Sequence, residues 1–255
     1  MLPKSGKYLK VAPSRRWMVD LVALSRSIPI AALEHRIYIK PVVEARDALQ
    51  QVRPSWVALF LKAFGIVALR RPYLRQGYFN FPWPRMYEHA GNVVAITVER
   101  EWRGEFSIFF DMLPSPERMT LMEIHDHLKR LKTEPVESIP TFNRLIRGNV
   151  VPYMFRWMIW WWLYSFSGPR RAKFIGTFAI NGGTRFPIRP VMTTGAIGTT
   201  FYFGPFHEDG STDVCLTFDH RVMDGGQVVR ALDELESVFN TEILAELMSL
   251  KQSGV

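Results

Sequence analysis

The segment SWVALFLKAFGIVALRR, residues 55–71, restricts the fold more than any other. It predicts a helix that Pro72 stops. The helix is apolar nearly all the way round, so one flanking layer cannot cover it and it must lie inside the domain. A chain of 255 residues, 47% of them hydrophobic, is long enough to supply that interior.

The surrounding pattern alternates between the two periods of regular structure. Residues 15–26 read as a helix with Met18, Leu21, Val22 and Ser25 along one side. IPIAALEHRIYIK reads as a strand and VVEARDALQQV as a helix. NVVAITVER and EFSIFFDML read as two strands turning at Arg103-Gly104, and SPERMTLMEIHDHLKRLK as a helix capped at Ser115. Strand signals return in FIGTFAI, AIGTTFYFG and DVCLTF, and two helices close the chain at roughly 225–240 and 241–251. Such interleaving predicts a single mixed α/β domain over residues 1–255. Residues 133–173 break the pattern: prolines and the run WMIWWWLY, residues 157–164, are interspersed with Arg144, Arg147, Arg156, Arg170, Arg171 and Lys173. That run is too short to span a bilayer. It reads as a core helix or subunit contact, with an interfacial helix whose arginines face lipid headgroups as an alternative.

The formal charge of +8 favours anionic partners. No RNA- or DNA-binding motif accompanies it, so a phosphorylated cofactor or lipid headgroups account for the excess and nucleic acid is not expected. A lone cysteine, Cys215, excludes an intramolecular disulfide and suits a reducing, cytoplasmic compartment. It sits inside a strand beside buried positions, a poor place for a nucleophile. The N-terminus has no apolar stretch of the kind a signal peptide needs. His125 and His127 in IHDH point in different directions on a helix, so they read as a solvated face and no metal is expected.

The chemistry concentrates in LTFDHRVMDGG, residues 216–226. Val214, Leu216 and Phe218 share one strand face, and Cys215, Thr217 and Asp219 the other. His220 therefore stands where a buried strand runs out. There an imidazole can accept a proton from a thiol or hydroxyl and later return it. On spacing alone a structural histidine is the commoner case, and Asp224-Gly-Gly-Gln227 has the form of a helix capping box.

Phe-Asp-His220-Arg-Val-Met-Asp224-Gly resembles the signature of the dihydrolipoyl acyltransferase family, the core subunits of 2-oxoacid dehydrogenase complexes, and of its chloramphenicol acetyltransferase relatives. SRRWMVDLVALSRSIP, WVALFLKAFGIVALRRPYL, NVVAITVE and GTFAINGG resemble further family segments in the same order. The resemblance covers roughly 15–132 and 174–245. It implies a chloramphenicol-acetyltransferase-like two-layer α/β sandwich with a mixed sheet. It also implies trimers with each active site in a channel between subunits. His220 would be the general base that deprotonates a thiol or hydroxyl for attack on an acyl thioester. Asp224 would pair with Arg15 or, in a one-residue shift, Arg16.

Three departures matter. The family places a Ser or Thr hydroxyl for the oxyanion where this chain has Asn181, so Asn181 or nearby Thr184 is the candidate donor. The pattern begins by residue 15, so no lipoyl group is expected on this chain and any would arrive in trans on another. Residues 133–173 replace a short connection, which adds a wall for a long acyl chain to the readings of WMIWWWLY. The expected function is an acyltransferase moving an acyl group between coenzyme A, as a substrate, and a thiol or hydroxyl acceptor. The alternative is a catalytically silent trimeric scaffold that binds a partner, or a membrane surface through Trp157–Tyr164.

Overall fold

The computed structural model describes residues 6, 8, 11–50, 52–182 and 196–252. In chain order the elements are α1 (Pro13–Ser25), β1 (Ile30–Tyr38), α2 (Lys40–Asp47), α3 (Trp56–Arg70), β2 (Gln76–Phe79), β3 (Arg85–Glu88), β4 (Val93–Trp102) and β5 (Glu105–Pro114). Then come α4 (Leu121–Thr133), α5 (Pro140–Gly148), α6 (Tyr153–Phe166), α7 (Gly168–Ile175), β6 (Phe178–Gly182), β7 (Thr199–Phe206), β8 (Ser211–Asp219), α8 (Gly225–Val238) and α9 (Leu244–Gln252). Among the described residues six strands form one mixed sheet in the order β1-β8-β7-β6-β4-β5, while β2 and β3 pair separately. Within it β6 runs parallel to its neighbours β4 and β7. This is the expected mixed α/β sandwich.

The central strands have two unlike faces. Phe178, Ile180, Phe201, Phe203, Leu216 and Phe218 point to one side and are buried. There α3 enters the core with Ala58, Leu59, Phe60, Ala63, Phe64 and Val67 at no exposure, as its apolar girth requires. Phe60 stacks on Phe203 at 4.1 Å between ring centres and meets Phe239 edge-on, and Phe64 meets Phe178 and Phe201. The helix is capped by Ser55, whose side chain accepts from the Ala58 N–H. The opposite face carries Ala95, Thr97, Ala179, Asn181, Thr200 and Tyr202. Over part of it lie α1, α6 and α7, with α5 across the edge strand β5.

Two local rules fix the strand ends. Arg103 and Gly104 both take positive φ, 55° and 77°, as the two-residue turn between β4 and β5 requires. Gly176 has φ 94°, and a Cβ there would stand 3.0 Å from the Val93 carbonyl. Glycine therefore lets the chain turn from α7 straight into β6. Thr177 locks the start of that strand, its N–H donating to Val93 O at 2.7 Å.

Several expected elements shift. The helix after β5 starts at Leu121, not near Ser115. Ser115 is left-handed (φ 48°) and opens a short 3-10 turn, whereas Thr120 and Glu123 form the capping box. The last two helices are not separate: one π-turn, Phe239–Ile243, joins them. Phe174 and Ile175 end α7 and are not part of β6.

On α1 the inward residues are Trp17 and Asp20, not the side carrying Val22 and Ser25. Asp20 is 1% exposed and accepts from Arg156 Nε and Nη2 of α6 at 2.7 and 3.1 Å. Removing one member of such a pair strands the other charge in the interior. Arg156→Met should therefore lower unfolding free energy by about 3–5 kcal/mol in denaturant melts, and the double change Asp20→Leu with Arg156→Met should recover most of the loss.

Candidate active site

β8 delivers His220 one residue past its paired end. Two contacts set its height. The His220 N–H donates to Pro29 O at 3.0 Å, and the preceding Asp219 N–H donates to Gly198 O at 2.8 Å. The Asp219 carboxylate is 2% exposed and holds Arg221 bidentately, with Nε at 2.9 Å and Nη2 at 2.7 Å. The Arg221 backbone N–H donates to the same carboxylate at 3.0 Å. This hydrogen bonding raises the Arg221 pKa, and the guanidinium lies 4.3 Å above the Tyr78 ring. The residues flanking His220 thus clamp the turn, leaving the imidazole outside. The ring leans on Phe218, 5.7 Å between centres, and its side chain is 56% exposed.

Asp224 faces the same imidazole. Its Oδ1 stands 3.6 Å from His220 Nδ1, inside ion-pair range but beyond a hydrogen bond. Its own N–H donates to Gln227 Oε1 at 2.9 Å, which starts α8. The expected arginine brace is absent within one chain: among the described residues no arginine lies in ion-pair reach of Asp224. Arg15 is exposed on α1. Arg16 donates to Asn149 O at 2.9 Å and so ties α1 to the end of α5. The buried acid–arginine pair of α1 is Asp20 with Arg156 instead, because the helix is turned to put Asp20 inward.

Asn181 sits elsewhere. It pairs in register with Tyr202, and Tyr202 with Cys215. His220 is five residues beyond Cys215, roughly 17 Å along the strand at about 3.4 Å per residue. One chain therefore does not bring Asn181 and His220 together. Asn181 Oδ1 accepts from Thr97 Oγ1 at 2.6 Å. Burial pushes the Tyr202 phenol up, partly offset by a hydrogen bond from Asn181. Thr184 lies outside the described residues.

Asn181 lines a half-open cavity of about 820 Å³ between the polar sheet face and the helices of the 133–173 segment. His220 and Asp224 are not among its walls. The cavity is roofed partly by α6, on which only Arg156 and Leu163 are buried. The reading of WMIWWWLY as a core helix is thus overturned: Trp157, Met158 and Trp162 face outward on a helix open to solvent along one side. No helix among the described residues is long and apolar enough to cross a membrane.

The remaining candidates are structural. His125 Nδ1 accepts from the Ser55 N–H, and His127 Nε2 is 2.7 Å from the buried Asp111, to which Thr141 also donates. These histidines hold α4 to its neighbours and are not a solvated face. Cys215 is buried, and desolvation pushes its thiol up to about 11. Sequence reasoning quoted Asp219 and Arg221 only as part of the motif. Their signal was available: an acid and an arginine one residue to either side of the histidine.

No protein-family model matches this chain, nor does any curated protein. Solved structures do. It is similar to a probable dihydrolipoamide acetyltransferase from Listeria monocytogenes at 14% identity, covering 98% of this chain and 97% of that one, TM-score 0.62. It is similar to the dihydrolipoamide acetyltransferase of Azotobacter vinelandii, studied for the role of a serine, a histidine and an asparagine in its catalytic mechanism. There the identity is 12%, the coverage 96% and 95%, and the TM-score 0.66. A chloramphenicol acetyltransferase gives 13%, 86% and 94%, with TM-score 0.51. The chain has the fold of these acetyltransferases.

Apart from these groups, the buried His89 is 5% exposed. Burial, then Arg171 and Arg75, push it down to about 4. The folded value lies below the ordinary one near 6.5, so between the two the unfolded chain binds the extra proton. Stability is complete above about pH 6.5 and falls as pH drops toward 4. His89→Phe should flatten that slope by up to about 1.4 kcal/mol per pH unit, read as melting temperature between about pH 7.5 and about pH 5.

Proposed function

We propose that the protein is an acyltransferase in which His220 of one subunit and Asn181 of its neighbour form a shared site. The observation that carries this reading is their separation. A motif histidine is rigidly mounted yet exposed, and the candidate oxyanion donor lines a cavity roughly 17 Å away along the sheet. A closed ring of identical subunits supplies each half from a different chain. In the Azotobacter vinelandii acetyltransferase the histidine and asparagine studied for catalysis stand four residues apart, as His220 and Asp224 do here.

The steps follow from the groups. His220 takes the proton of an acceptor thiol or hydroxyl. The resulting thiolate or alkoxide attacks the carbonyl carbon of an acyl thioester, and electrons move onto the carbonyl oxygen. The Asn181 amide N–H stabilises that oxyanion, a contribution worth about 10²–10³ in rate for one donor. Collapse expels the thiolate of the other carrier, which recovers the proton from His220. Asp224, 3.6 Å away, orients the imidazole. Coenzyme A is the carrier favoured by the basic surface, and a lipoyl thiol on another chain is an acceptor of matching chemistry.

His220→Ala should lower transfer by about 10²–10⁴ while leaving thioester binding within a few-fold, measured by thiol release on a substrate the wild type turns over. Complementation tests the shared geometry. Equal amounts of His220→Ala and Asn181→Ala chains, dissociated and reassembled at random, should regain about a quarter of the wild-type sites if each is built from two subunits. No regain, from variants that reassemble normally, rejects the shared site. Full activity in His220→Ala makes the imidazole structural and rejects it as the base.

A further inference from the structure

We propose that the cavity beneath α6 binds a long apolar chain carrying an anionic head, as a fatty acid or its coenzyme A thioester does. Chain binding stands on the cavity alone; only the transfer of that chain rests on the acyltransferase reading.

The walls set the chemical class. Trp17, Leu21, Phe110, Met112, Trp160 and Leu163 line the space from three elements, α1, β5 and α6. Its 820 Å³ falls within the range of small-molecule sites, about 300–1,000 Å³. Thr97, Asn181 and Tyr202 form one polar patch on adjacent strands of the floor, and the charged side chains Glu99, Arg144, Arg156 and Lys173 also line the space. Thr97 Oγ1 donates to Asn181 Oδ1, so that acceptor asks nothing of the ligand and the chain needs no polar body there.

Charge selects the head. Arg144 and Lys173 both line the cavity, both are exposed, and both stand over the Phe174 ring, at 5.5 and 5.9 Å. Neither forms an ion pair among the described residues. Arg156 also reaches the cavity but is neutralised by Asp20, so its charge is not free. The sequence supplies no local counter-charge either: from Ser138 to His207 there is no Asp or Glu. Glu99 is the one acid among the lining residues, so against it Arg144 and Lys173 leave cations in excess beside an apolar slot, which attracts an amphipathic anion with the chain inside and the head outside.

Calorimetric titration of saturated fatty acids of about 4 to 12 carbons, and of the matching coenzyme A thioesters, tests this. Affinity should rise about four-fold per methylene, the equivalent of about 0.8 kcal/mol for each buried CH₂, and then level off. Ala179→Leu, which adds volume at the cavity floor, should move that ceiling to shorter chains. Ile159→Asp should weaken long-chain binding at least ten-fold; its half-exposed position keeps the test available if the first variant unfolds. The double change Arg144→Glu and Lys173→Glu should weaken every anionic ligand while preserving the four-fold step. Binding by both series assigns the shared chain-and-anion chemistry, and binding by the thioesters alone narrows the head to coenzyme A. Affinity independent of chain length, or unaltered in folded Ile159→Asp, overturns the proposal. A chain-length slope without transfer from any thioester would keep the cavity and remove the acyltransferase reading. Acetyl transfer with flat binding would do the reverse.

Discussion

The structure depends on the unequal faces of β6, β7 and β8. Alternation along each strand sends Phe178, Phe201, Phe203 and Phe218 to one side and Ala179, Thr200, Thr217 and Asn181 to the other. The bulky side can be covered only by another large apolar surface, and α3 provides it. The small side leaves a shallow space that no single helix fills closely. α1, α6 and α7 bridge over it, and the cavity is what remains beneath them. One period-two pattern thus fixes both the core and the compartment on the far side of the sheet.

The polar interactions divide along the same line. Asp20 with Arg156 and Asp219 with Arg221 are buried at the carboxylate, and each fastens a part that the aromatic core does not reach. The first holds the bridging helix α6 to α1. The second holds the turn that carries His220. Pairs of this kind add little net stability against apolar replacements, but they fix position, because a misplaced partner leaves a charge without compensation. The imidazole gains a defined mounting without being buried itself.

Much of this was legible in the sequence, and the failures have physical causes. The girth of α3, the hairpin at Arg103-Gly104 and the strand ending at His220 follow from local rules and were read correctly. So was the fold, through the motif around His220. The start of α4 was misplaced although Thr120-x-x-Glu123 spells a capping box, because the serine before Pro116 was read first. Asp20 could not be read as buried, since its partner lies 136 residues away and a helix pattern carries no record of it. WMIWWWLY is equally apolar whether enclosed or open to solvent, so composition alone could not orient α6. The distance between Asn181 and His220 needed strand register, which depends on pairing and not on sequence spacing.

Cys215 has a chemical consequence of its own. Cys215 lies on β8, between β1 and β7, and burial raises its thiol to about 11, so the thiolate is scarce at neutral pH. The side chain is only 5% exposed and stands off one face of the sheet. Labelling of Cys215 must therefore wait for the layer packed over that face to open, so its rate is an intrinsic clock for that opening. A cysteine placed anywhere on the surface would report alone, against a silent background.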